Sequence, residues 1–178
     1  EAEAAQVLLR EVEAAEAGNQ PERRERRGGG QAQAVVSAHR LEAFQAAADL
    51  QKGAVQAASP GHPALARMRA LAAEAETARA DDDWRRVGTL NMEFHRAMVE
   101  LCDSPRLSAG FDLLLAELRL VFGQLEDTSH LHEPYIALNV TLLEHMERGD
   151  TAAALEALDA YLVKSERSVL AALQRRRG

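Results

Sequence analysis

A chain of 178 residues with 47% hydrophobic content can fill one well-packed domain, and an aromatic share of 4% means a core built from Leu, Val and Ala. A formal net charge of −7 excludes a protein that coats nucleic acid, because such proteins meet phosphate with clustered Lys and Arg; any DNA contact has to be local. The single cysteine, Cys102, excludes an internal disulfide, and neither a signal peptide nor a membrane-length apolar run is visible, so a cytoplasmic location is expected.

Residues 1–17 are strong helix formers with a thin stripe of Val7, Leu8 and Val12. Residues 18–30, GNQPERRERRGGG, combine a breaker, a basic run and a glycine run, which reads as a mobile linker or a β-turn wing. The expected division is therefore 1–30 as helix plus linker and 31–178 as the main domain. A long helix is expected over 34–58, with Val35, Ala38, Leu41, Ala48 and Val55 facing inward, ended by Ser59-Pro60-Gly61-His62-Pro63. A second follows over 64–80 on a stripe of Leu65, Met68 and Leu71.

Asp81, Asp82 and Asp83 place acidic side chains where free N–H groups and the helix dipole favour them, at the start of a helix beginning with Trp84. On that helix Trp84, Val87, Asn91, Phe94, His95, Met98, Leu101 and Cys102 share one face, so Asn91 and His95 point inward as an i,i+4 pair. A buried amide and imidazole without partners would cost a few kcal/mol, so other helices must satisfy them or they line a cavity.

The helix stops at Asp103-Ser104-Pro105, and residues 106–126 form the most apolar one, suited to a central position or to a partner subunit. Arg119 sits beside its apolar band and needs an anion, either an ordinary carboxylate partner or a carboxylate-bearing effector. Residues 128–134, TSHLHEP, read as a loop in which His130 and His132 are either a His-x-His metal pair or simply polar. Pro134 opens a helix with Tyr135, Asn139, Leu142, Leu143 and Met146 on one face, and the Gly149-Asp150 turn leads into a last helix carrying Leu158, Tyr161, Leu162 and Ser165 inward. Asn139 and Tyr161 lie at similar distances from that turn, roughly 16 Å along their helices, so they face each other in an antiparallel pair. Asn91, His95, Asn139 and Tyr161 then either line a pocket or form a mutually hydrogen-bonded core.

The Phe94-His95 pair closing a helical stripe, the Pro105-Arg106-Leu107 start of the next helix and the Glu147-Arg148-Gly149-Asp150 phrase of the last hairpin resemble the FCD domain, the effector-binding domain of FadR-type GntR transcription regulators. The resemblance covers roughly residues 35–173. It implies an all-α antiparallel bundle of six to seven helices, a homodimer, and a small-molecule effector that alters DNA affinity. It also implies a winged helix-turn-helix before the domain, of which residues 8–30 resemble at best the closing helix and wing; DNA binding is expected only if such a domain lies upstream.

Metal-binding members of that family use an Asp or Asn and a His four residues apart, then one His on each helix of the final hairpin. The matching positions here are Asn91, His95, Asn139 and Tyr161, which leave one strong ligand. Neither a tightly bound transition metal nor another cofactor is expected, and the four polar groups suit direct hydrogen bonding to a ligand, with Arg119 as a further candidate contact. The alternative is a bundle repurposed as a cofactor-free enzyme for acid/base or cyclisation chemistry, with His95 as base and Tyr161 as acid or oxyanion donor, although no catalytic motif accompanies them. A third reading is a structural or partner-binding dimer with a filled core.

Overall fold

The computed structural model describes residues 24–122 and 129–175, with side chains placed at 41–119 and 132–168. By internal contacts the chain divides into two compact units, Glu1–His39 and Arg40–Gly178. Six helices are described: α1 (Arg24–Ala57), α2 (Pro63–Ala80), α3 (Trp84–Glu100), α4 (Pro105–Phe122), α5 (Ser129–Glu147) and α6 (Thr151–Arg175). No strand occurs among the described residues, and the all-α bundle is the fold the sequence implied. The helix expected over 1–17, most of the basic run, and the inward side chains expected at Val35 and Ala38 lie outside the described residues.

Local chemistry sets the helix boundaries. His62 caps α2: its Nδ1 accepts from the Ala64 N–H at 3.1 Å, Pro63 follows at the first helical position, and Nε2 reaches Asp103 Oδ1 at 3.2 Å. At α3 the acidic triplet divides its work. Asp83 accepts the Arg86 N–H at 2.9 Å as N-cap, while Asp82, in the left-handed region that Asp tolerates, accepts from the Trp84 indole. Asp150 repeats the capping role for α6, accepting from the Ala153 N–H at 3.1 Å. Before it, Gly149 turns at φ +70°, where a Cβ would also stand 3.1 Å from Pro60 Cγ.

Two expectations about irregular segments are corrected. Gly28, Gly29 and Gly30, read as part of a linker, lie in the helical backbone of α1. Extending an existing helix adds a hydrogen bond for each residue fixed, and Gly's penalty of about 1 kcal/mol against Ala does not by itself stop a helix already propagating from good formers. The segment around His130 and His132, read as a loop, belongs to α5, which starts at Ser129 and carries Pro134 inside. Proline lacks the N–H for its i→i−4 bond. Tertiary packing opposes that loss, since Tyr135 and Ile136 are buried just beyond the proline and the His132 ring lies against Gly88 of α3.

Helix α3 packs against α2, α4 and α5, and α5 packs against α2 and α6, so α3 and α5 form the centre. Val87, Leu90, Phe94 and Met98 of α3 meet Met68 of α2, Leu142 and Met146 of α5 and Leu158 of α6 in one cluster. A smaller cluster joins Phe111 and Leu118 of α4 to Ala47 of α1 and Val99 of α3. Ion pairs such as Arg69–Glu147, Arg86–Glu74 and Arg96–Asp112 cross the surface between helices, in the exposed setting where such pairs contribute little. No described helix is long and apolar enough to cross a membrane.

Candidate ligand-binding site

The i,i+4 spacing on α3 delivers Asn91 and His95 to the bundle centre, and the α5–α6 hairpin brings Asn139 and Tyr161 to meet them. His95 Nε2 lies 2.7 Å from the Tyr161 hydroxyl, which donates to Asn91 Oδ1 at 3.2 Å. Asn139 Nδ2 donates to that same oxygen at 2.7 Å. Four residues on three helices thus form one hydrogen-bonded chain. His95, Asn139 and Tyr161 are buried and Asn91 is half-buried.

Aromatic rings enclose the chain. The Tyr161 ring meets His95 edge-on at 4.8 Å between centroids and Tyr135 at 4.8 Å, and Phe94 closes on His95 at 5.6 Å. Tyr135 itself shares a 3.3 Å hydrogen bond with Ser168. In this low-dielectric setting charge is disfavoured on both titratable members. Burial pushes the His95 imidazole down to about 4, and it pushes the Tyr161 phenol far above its ordinary value against the opposing hydrogen bond to Asn91. At neutral pH the chain is uncharged.

Both sequence alternatives meet in this arrangement, because the four groups bond to one another and also border space. A cavity of about 60 Å³ is lined by Asn91, His95, Tyr161, Gln51 and Ser165, with Phe44, Met92, Phe111, Leu115 and Leu118 among its apolar walls. A second, of about 10 Å³, lies across Asn91 and Asn139 and is bordered by His132, Leu71, Phe94 and Ile136. The first has room for more than a single water, the second for at most about one. Among the described residues three buried polar atoms around this centre have no hydrogen-bond partner: Gln51 Oε1, His95 Nδ1 and Asn139 Oδ1.

Arg119 stands apart from the other four candidates: it is exposed on α4 and lines neither cavity. Two residues at the site were not singled out from sequence. Gln51 interrupts the buried stripe of Ala47, Ala48, Ala54 and Val55 on α1, a polar intrusion of the same kind as Asn91. His132 stands two helical turns before Asn139 on α5; Pro134 hid that register by suggesting that the helix begins later. A Cβ on Gly88 would stand 2.7 Å from His132 Nε2, so the ring reaches this position only because residue 88 has no side chain.

The donor set does not suit a transition metal. The hydrogen-bonded four offer one imidazole, two amides and a phenol held protonated, and Asn91 Oδ1 already accepts two hydrogen bonds, whereas Zn²⁺ and its neighbours need several imidazoles, thiolates or carboxylates. Among the described residues no group of three or more His, Cys, Asp or Glu side chains is placed to hold a metal ion.

The bundle is all-α among the described residues, with polar groups from α3, α5 and α6 meeting at its centre. The FCD domain model matches residues 42–164, most of the chain, and the protein belongs to the FCD domain family. A solved structure from Rhodococcus sp. RHA1, which goes under the name of a transcriptional regulator GntR, matches with a TM-score of 0.70 and 28% identity over 74% of this chain. The match spans 64% of the length of that structure. No curated protein matches the chain.

Proposed function

We propose that this chain is the effector-binding domain of a GntR-type transcription regulator, working in the cytoplasm as a homodimer and sensing a small molecule without a metal. The observation that carries the reading is the pairing of family membership with a bundle centre that holds a cavity and buried polar atoms still in need of partners. The donor set at Asn91, His95, Asn139 and Tyr161 supports metal independence. Ligand binding would bias the equilibrium between two arrangements of the dimer, and DNA affinity would change through a winged-helix domain joined to it. The self-association surface we assign to α4, where Leu113 is 70% exposed and stands between exposed Ala109 and Ala116 on one face.

The test is a mobility shift of the whole gene product on DNA from its own neighbourhood, with and without a small-molecule extract of the host. A specific shift that the extract relieves is the expected result. If no DNA fragment shifts at low salt, the regulator reading fails.

A further inference from the structure

The unpartnered atoms carry a sign. Gln51 Nε2 donates to the Ala47 carbonyl at 3.1 Å, and a backbone carbonyl can only accept, so the orphaned Gln51 Oε1 is a bare acceptor. The hydroxyl of Tyr161 has one proton, and it goes to Asn91 Oδ1; the same hydroxyl must then accept from His95 Nε2–H, which leaves His95 Nδ1 as an acceptor. Asn139 gives its N–H to Asn91 and keeps its Oδ1 bare. All three orphans are hydrogen-bond acceptors. Gln51 and His95, each 6% exposed, line the same cavity of about 60 Å³, and among the described residues no Lys, Arg, Asp or Glu lines either cavity.

A carboxylate would bring more lone pairs to a place that has too many, and it would find no cation among the described lining residues to offset its desolvation. A cation would find no anion among them. We propose that the site takes an uncharged small molecule bearing N–H or O–H donors, an alcohol or a primary carboxamide, whose donor bonds to Gln51 Oε1 with His95 Nδ1 as the second acceptor. The proposal rests on the reading of the domain as an effector sensor and sets the class of effector against the carboxylate considered for Arg119. The cavity admits a head group of a few heavy atoms.

Acetamide and acetate form a matched pair of four heavy atoms each, one a neutral donor and the other an acceptor-only anion at neutral pH. The full chain, labelled with ¹⁵N, is titrated with each at millimolar concentration while the His95 ring nitrogens and the Gln51 side-chain amide are followed by NMR. The expected result is an Nε2–H ring before addition, with saturable shifts of His95 Nδ1 and the Gln51 amide under acetamide and none under acetate. Gln51→Leu should weaken acetamide binding about tenfold, the scale of one lost hydrogen bond. An Nδ1–H ring, a response to acetate alone, or no response to either molecule overturns the proposal. A response to acetate alone leaves effector sensing intact and refutes only the ligand class, whereas the regulator reading stands or falls on the DNA experiment.

Discussion

Tyr161 ties His95 to Asn91, and removing its hydroxyl is the sharpest residue-scale perturbation available. Tyr161→Phe keeps the ring contacts with His95 and Tyr135 but leaves His95 Nε2 and Asn91 Oδ1 each short of one partner. Unsatisfied buried groups cost about 1–3 kcal/mol each, so urea unfolding should show a loss of that order with an unchanged slope. A neutral result would mean that water replaces the hydroxyl. His95 supplies a second prediction, in pH. Its folded value of about 4 lies below the ordinary 6.5, so the unfolded chain binds the proton more readily. The stability that this contributes is fully present above pH 6.5 and is lost as pH falls from 6.5 toward 4, on the order of 3 kcal/mol in all. Burial depresses His132 as well and adds to the loss with the same sign. Chemical denaturation between pH 7.5 and 4.5 should show this decline, and His95→Gln should flatten part of it.

At the scale of the element, the close approach of α5 to α3 depends on what Gly88 lacks. Gly88→Ala introduces a Cβ 2.7 Å from His132 Nε2, and the half-buried ring has to give way. Overpacking of this kind costs about 1–3 kcal/mol, against which the alanine recovers about 1 kcal/mol of helix propensity. A double-mutant cycle separates the two effects: Gly88→Ala alone should be neutral to destabilising, and in a His132→Ala background it should stabilise by about 1 kcal/mol. Additivity across the cycle would show that the two residues do not touch in solution. The same place marks where sequence pattern ran out. Helical periodicity found α3 and its inward pair, and the Gly149-Asp150 turn placed Asn139 opposite Tyr161, because both arguments depend on local spacing. The start of α5 was not legible: Pro134 is a local signal for a boundary, and the contact of His132 with Gly88 that opposes it joins residues far apart in sequence. Gln51 was overlooked for a related reason, since a lone amide in an Ala stripe becomes informative only once α3 is seen across from it.

For the whole molecule, the α-helical bundle was readable from short Pro/Gly punctuation between amphipathic stretches, but which apolar face remains uncovered is a property of the assembled fold. Helix α4 was marked by its apolarity as central or as facing a partner subunit, and it divides between the two roles. Phe111 and Leu118 are buried against Ala47 and Val99, whereas Leu113 is 70% exposed with Ala109 and Ala116 at i−4 and i+3. Small residues on either side of a large apolar one let a second helix approach closely, so this face suits a symmetric contact in which each Leu113 packs over the alanines of the other copy. Leu113→Lys puts a charge at the centre of that contact. It should leave the fold intact, because the residue touches water in the monomer, and for the homodimer proposed above it should shift the protein from dimer to monomer by light scattering at micromolar concentration. Leu107→Lys, a control at a half-exposed position elsewhere on α4, should leave the dimer in place. A dimer that survives Leu113→Lys would move the subunit interface off this face of α4.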